Sequence, residues 1–588
     1  MRRYSDPKGL CGLSFIGTQL LASLALVACG SSDSPEPGAT RPLLVFDTPL
    51  AEAVEGNAVP EEARPMVGKA QPPAGKAQPP AGKAQPPVGK AQPPVGKAQP
   101  PVTTQETGSP QNKSWDQLGG YDSQLQSQVE SAVQEGIQKA KTHGKLQGKD
   151  CAVSVVVLDL EKRSRLVALG STRLKRPASN QKILTVLAAL TALGPAGSFD
   201  TKVEIQGEVK GGVLQGQLIL RAGGDPVYER DQENAMPAWA ESLGELLLDA
   251  GIHKVEGDLV LDTGTYPSPG PGPAWPSANE HWQEYCALAG GFSANGGCLS
   301  AVLEAAPGML RVRVLPPGHG LKEDITVRKG PAGKALDVRV GVQGSRVIVG
   351  GTFPSGIPRW SSRFAHPDPV ALFGGSLIMT LGLQGFEITG QSRVQAQAPP
   401  GTVLGWVSRP IAGQLEAILQ DSNNSVTDQV FLTLGARAGD GSRAGSLDAV
   451  RKALGSLGLD GSSLVMVDGS GLSRDNQVTT RLLAGSMGAL REHDPGAFEL
   501  FLQGLPLAGS SGSLSKRMRS GPAFKTVRAK TGFIGGTSGL SGVVLKEGLA
   551  RLAFSILVEY PRKAGLNTRA WKPMQDRIAQ LLAAWVVK

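Results

Sequence analysis

The stretch Arg176-Pro177-Ala178-Ser179-Asn180-Gln181-Lys182-Ile183-Leu184-Thr185 decides how the rest of the chain is read. A serine and a lysine three residues apart stand on one face only if the segment is helical. The run from Ile183 to Leu193 is rich in Leu and Ala and closes on Gly194-Pro195, so a buried helix with a clear stop is expected. Ser179 then falls in the first turn, where backbone N–H groups are free and the dipole favours negative charge. An amine in apolar surroundings gives up its proton readily, which prepares Lys182 to take the proton of the Ser179 hydroxyl. Alone, S-x-x-K is more often a capping serine beside an exposed lysine, so the rest of the chain must decide.

Two further motifs follow in order. Ser422-Asn423-Asn424 lies in a polar turn before a helix expected over 426–434, and Lys530-Thr531-Gly532 ends a strand expected over 525–530. Each is weak alone. Together, S-x-x-K, S-x-N and K-T-G are the established signature of β-lactamases and penicillin-binding proteins.

Further stretches narrow the resemblance: Gly223-Gly224-Asp225-Pro226, Gly257-Asp258-Leu259-Val260-Leu261-Asp262, Asp468-Gly469-Ser470-Gly471-Leu472-Ser473-Arg474 and Leu505-Pro506-Leu507-Ala508-Gly509. Over about residues 145–588 the chain resembles the low-molecular-mass class C penicillin-binding proteins, the D-alanyl-D-alanine carboxypeptidase/endopeptidases of peptidase family S13. One departure is Asn423, where such proteins usually carry Asp. The resemblance implies an α/β (α+β sandwich) serine transpeptidase-like domain with a large β-rich insertion. Its substrates would be peptidoglycan stem peptides, and β-lactams would be covalent inhibitors. Ser179 would attack the carbonyl between the terminal D-alanines with Lys182 as base. Ser422 would relay a proton to the leaving amine and Asn424 would hold the peptide amide. Lys530 and Thr531 of the Lys530-Thr531-Gly532 motif would take the terminal carboxylate, and the N–H groups of Ser179 and Phe533 would form the oxyanion hole. By the same resemblance Arg474 binds a carboxylate on the stem-peptide diamino acid, and Glu284 adds a negative charge to that pocket. A β-lactamase or esterase, and a wall-binding scaffold without activity, are the competing readings.

At 588 residues the chain is too long for one core, and 77 Gly with 43 Pro point to long loops or an unstructured stretch beside globular parts. The net charge of +9 is modest for this length and five lysines sit in one repeat segment, so no nucleic-acid surface is indicated. The six histidines are scattered without H-E-x-x-H or a Cys/His metal spacing, and G-x-S-x-G is absent. Neither a metal, a cofactor nor an α/β-hydrolase is expected.

Arg2, Arg3 and Lys8 precede an apolar run over 10–28 that ends in Leu26-Val27-Ala28-Cys29-Gly30. This reads as a signal peptide over 1–28 with a lipobox, Cys29 being lipidated and becoming the first mature residue. Ser14, Gly17, Thr18 and Ser23 argue against a transmembrane helix. A periplasmic protein held to a membrane by acyl chains is expected, with the outer membrane favoured by Gly30. Residues 29–115 read as a tether. Its five copies of Gly-Lys-Ala-Gln-Pro-Pro-(Ala/Val) between Gly68 and Val102 span roughly 110 Å if fully extended as polyproline II. The peptidase domain is expected to be discontinuous, over 116–200 and 396–588, around an inserted β-rich part over 201–395. Cys286 and Cys298, twelve residues apart in an exported protein, are expected to form a disulfide, with Cys151 free and buried.

Overall fold

The computed structural model describes residues 113–147, 150–562 and 565–588. The expected signal peptide, Cys29 and the repeats lie outside them.

The sequence Ala152–Asp159 reads Ala-Val-Ser-Val-Val-Val-Leu-Asp, and its β-branched residues favour an extended strand. Alternate side chains face opposite ways: Val155 and Val157 enter one apolar cluster, Val156 and Leu158 another. A strand buried on both faces needs two covering layers, and the two ends of the chain supply the sheet between them. Ala152–Asp159 pairs antiparallel with Leu549–Glu559, from Ala152 opposite Glu559 to Asp159 opposite Leu552. The five-stranded sheet runs Val527–Ile534, Thr537–Lys546, Leu549–Glu559, Ala152–Asp159, Ser164–Leu169. Helices Ser123–Gly144 and Lys572–Val587 cover one face through Leu125, Val129, Ile578 and Leu582. Lys182–Leu193, Asn424–Arg437 and Thr480–His493 cover the other through Leu187, Val430 and Leu483. This is the α/β sandwich expected. Lys182–Leu193 is buried continuously from Lys182 to Leu190, as its all-round apolar sequence requires of a central helix.

The insertion is β-rich and has its own core, which includes Val203, Leu218, Trp239, Leu299, Val349 and Phe373. Its largest sheet contains Ser198–Lys210, Val213–Arg221 and Thr402–Pro410. Thr402–Pro410 falls in the stretch 396–588 expected to belong to the peptidase domain. It instead pairs antiparallel with Ser198–Lys210, ending with Pro410 opposite Ser198. The inserted sheet therefore runs from Ser198 to Pro410, wider at both ends than 201–395. Alternation marks a strand but not the sheet it joins.

The expected Cys286–Cys298 disulfide is not formed. Both thiols are free and buried, as is Cys151. Ala287, next to Cys286, is the residue that packs against Cys298 and Ala365. Burial pushes the Cys286 thiol up to about 12 and that of Cys298 to about 11, which keeps both protonated and unreactive.

Candidate active site

Ser179 sits on a tight turn, Ala178–Gln181, that feeds directly into Lys182–Leu193. Ala178 is held at φ +46°, an unusual conformation for a side chain with a Cβ. Neighbours on two sides impose it. Asn180 lies against the edge of the sheet, where a Cβ on Gly532 would come within 2.3 Å of its Nδ2, and one on Gly539 within 2.1 Å. Behind the turn, Gly471 passes so close that a Cβ there would lie 1.9 Å from the Ala178 carbonyl oxygen. Gly471 is also at φ +82°, which glycine alone adopts without cost.

Lys182 is fully buried. Its Nζ lies 3.3 Å from Ser179 Oγ, 2.7 Å from Asn424 Oδ1 and 2.7 Å from the Ser470 carbonyl oxygen. The last two are pure acceptors, so each must receive an N–H. A neutral amine has two hydrogens and one lone pair. With both hydrogens committed, the lone pair is left for the Ser179 hydroxyl. Burial drives the Lys182 ammonium down to about 7, while Asp468 and Asp428 pull the other way. An amine so placed can accept a proton from that hydroxyl near neutral pH.

The other motifs close around this pair. Lys530, also fully buried, donates to Ser422 Oγ at 2.9 Å and to the Thr531 carbonyl at 3.0 Å. Burial, then the charge of Lys182, holds its ammonium well below the usual lysine range. Thr531 Oγ1 donates to Ser513 Oγ at 2.8 Å. Asn424 donates through Nδ2 to the Tyr285 carbonyl at 2.8 Å, leaving its second amide hydrogen free for a ligand. Asn423, the departure from the usual Asp, caps the helix Asn424–Arg437: its Oδ1 accepts from Val426 N at 3.0 Å. Asn and Asp cap equally well, so the exchange leaves the loop intact. Phe533 is 59% exposed on the edge strand of the sheet and lines the same cavity as Ser179 and Arg474.

In the block Asp468-Gly469-Ser470-Gly471-Leu472-Ser473-Arg474 the resemblance gives a role to Arg474 alone, and the structure gives one to the residues before it. Asp468 Oδ1 accepts from Gly471 N at 2.6 Å and from Asn476 Nδ2 at 3.1 Å. Its Oδ2 accepts from Ser473 N at 2.6 Å and from Trp275 Nε1 at 2.9 Å. The loop so tied presents the Ser470 carbonyl to Lys182. Gly471→Ala is therefore expected to push the nucleophile turn away, lowering the acylation rate by about 100-fold. It should also cost about 3 kcal/mol or more through strain and overpacking. Stopped-flow acylation and thermal melts check this; a variant within threefold of wild type in rate and unchanged in Tm would refute it.

One expectation is corrected. Glu284 does not share a pocket with Arg474; it pairs with Arg363 at 2.8 Å in a neighbouring cavity. Glu280 is the carboxylate that lines the cavity of about 1250 Å³ containing Ser179, Arg474 and Phe533. The two glutamates sit on separate short turns, Ala278–Glu280 and Glu284–Cys286, whose directions no spacing rule reveals.

The sequence matches the D-Ala-D-Ala carboxypeptidase 3 (S13) family over residues 133–584. The chain belongs to this family. A D-alanyl-D-alanine carboxypeptidase of Actinomadura sp. (strain R39) is 30% identical over 458 residues, covering 73% of this chain and 81% of that one. D-alanyl-D-alanine carboxypeptidase DacB of Haemophilus influenzae is 27% identical over 64% of this chain and 79% of its own. The fold of S13 proteins is shared as well. The crystal structure of penicillin binding protein 4 (dacB) from Haemophilus influenzae superposes with a TM-score of 0.62 at 24% identity, covering 77% of this chain and 99% of that one. The five polar residues bonded around Lys182 and Lys530 are thus set in an S13 serine peptidase frame.

Proposed function

We propose that the chain hydrolyses the terminal D-Ala–D-Ala bond of peptidoglycan stem peptides through an acyl-enzyme on Ser179. The observation that carries this reading is the fully buried Lys182 Nζ, 2.7 Å from two acceptors and 3.3 Å from Ser179 Oγ, where a neutral amine has its lone pair left for the hydroxyl. As Ser179 Oγ bonds to the carbonyl carbon, its proton passes to Lys182 Nζ. The Ser179 and Phe533 N–H groups receive the developing oxyanion. The Ser422 hydroxyl, held by Lys530, hands a proton to the departing nitrogen and is reprotonated from the Lys182 side. The C–N bond breaks, D-alanine leaves, and Ser179 carries the ester. Water then attacks that ester with the amine again as base. Lys530 and Thr531 supply the charge and hydroxyl that hold the terminal carboxylate.

A β-lactam presents a comparable amide to the same hydroxyl, and covalent labelling by penicillin is part of the proposal. Cleavage of D,D-crosslinks is the companion activity, since the bond is the same and only the leaving group is larger. D-Alanine release from a pentapeptide, set beside nitrocefin turnover, tests the reading. Release without rapid nitrocefin turnover is expected; the reverse pattern would make the chain a β-lactamase. The lipid anchor on Cys29 belongs to the same proposal, and loss of palmitate labelling in Cys29→Ser is its test; retained labelling would exclude that residue.

A further inference from the structure

The far end of the catalytic cavity is more cationic than one carboxylate partner requires. Arg474 and Arg562 both reach the Gly535-Gly536 turn that ends the edge strand. A Cβ on Gly535 would lie 3.6 Å from Arg474 Nη2 and 3.6 Å from Arg562 Nε. Among the described residues neither guanidinium has an ion pair. Arg474 makes one hydrogen bond, Nη1 to the Gly535 carbonyl at 2.9 Å, whereas nearby Arg176 is already paired with Glu559. Lys572 stands on the same rim. The cavity's own carboxylate, Glu280, accepts from the Ser277 hydroxyl at 2.9 Å and from the Tyr285 hydroxyl at 2.7 Å, both neutral donors. Two close guanidiniums repel, and Arg562 indeed helps to lower Arg474 below its ordinary range after burial. Such a pair is stabilised by anionic ligands.

We infer that Arg562 forms a second carboxylate subsite beside Arg474, and that it reads the free α-carboxylate of the γ-linked glutamate in the acyl-donor peptide. The inference rests on the function proposed above. A peptide with its terminal carboxylate at Lys530 and Thr531 adds alongside the edge strand and runs towards Gly535. At about 3.3 Å per residue the path from Thr531 to Gly535 is roughly 13 Å long. That is the reach from the terminal carboxylate, past two alanines and the diamino acid, to the glutamate. The end of the diamino-acid side chain and the glutamate α-carboxylate lie a similar number of bonds from the same Cα. Two carboxylates therefore arrive together where two guanidiniums wait.

The test compares two pentapeptides, identical except that the glutamate α-carboxylate is free in one and amidated in the other. In the wild type, kcat/KM for D-alanine release should favour the free acid by about fivefold, a modest factor because Arg562 is exposed. Arg562→Gln should bring that ratio to about one, and Arg562→Lys should keep part of it. A wild-type ratio near one, or a ratio unchanged in Arg562→Gln, overturns the subsite while leaving the peptidase intact. Absence of D-alanine release from both peptides by wild type would instead overturn the proposed function, and the subsite with it.

Discussion

Ser179→Ala is expected to remove every covalent adduct with penicillin and to lower D-alanine release by about 10⁵-fold or more. The hydroxyl is the atom that becomes the ester oxygen, and no other oxygen stands beside the Lys182 amine in the same relation. Among the described residues the only side-chain hydrogen bond of Ser179 is the one it shares with Lys182, at 3.3 Å, so the variant should fold normally. Its backbone N–H remains, and substrate should still bind. Serine and lysine act as one unit, so Ser179→Ala combined with Lys182→Arg should be scarcely worse than Ser179→Ala alone. Mass spectrometry of the penicillin-treated protein reads the adduct directly. A mass increase on Ser179→Ala equal to that of wild type would end the assignment.

Lys182→Arg is expected to lower the acylation rate by about 10³- to 10⁴-fold although the positive charge is kept. Arginine stays protonated at every accessible pH and offers no lone pair. The same reasoning fixes the pH dependence of wild type. The Lys182 ammonium is depressed to about 7 by burial, against the pull of Asp468 and Asp428. The active form is the deprotonated one. The rate of acylation should therefore rise as pH increases through about 7 and level off above it, and the rise should vanish in Lys182→Arg. A wild-type profile flat from pH 5 to 9 would show that another group takes the proton.

Much of this site was legible because each catalytic side chain sits in a short contiguous motif whose local structure is set by its neighbours. Ser179 and Lys182 are brought together by one turn, and Lys530 by a strand, although that strand runs on to Ile534 and so does not end at the Lys530-Thr531-Gly532 motif as expected. The supporting contacts were not legible. The Ser470 carbonyl that fixes Lys182 is a backbone atom, and Asp468 works through backbone N–H groups nearly three hundred residues away in sequence from the serine. Gly471 stood in a quoted block, yet only the 1.9 Å approach to Ala178 shows why it is glycine. Glu280 and Glu284 differ by a single turn of irregular chain, and Arg363, distant in sequence, decides which of them is taken. The paired cysteines failed for the same reason: twelve residues is a permissive spacing, while direction within a loop is not encoded in spacing.

The chain enters and leaves the β-rich insertion at neighbouring points: Pro410 is opposite Ser198, and Ile411 N donates to the Gly197 carbonyl at 2.9 Å. Departure and return thus share one doorway, and the segment between them adds no strand to the five-stranded sheet, although Tyr228, Tyr266 and Ala289 join the core that covers it. That segment supplies part of the cavity wall, Trp275, Glu280 and Tyr285 included. The fold therefore separates two properties that can diverge independently during descent. The motif residues around Lys182 and Lys530 sit in the frame, whereas part of the wall against which a peptide would lie comes from the insertion.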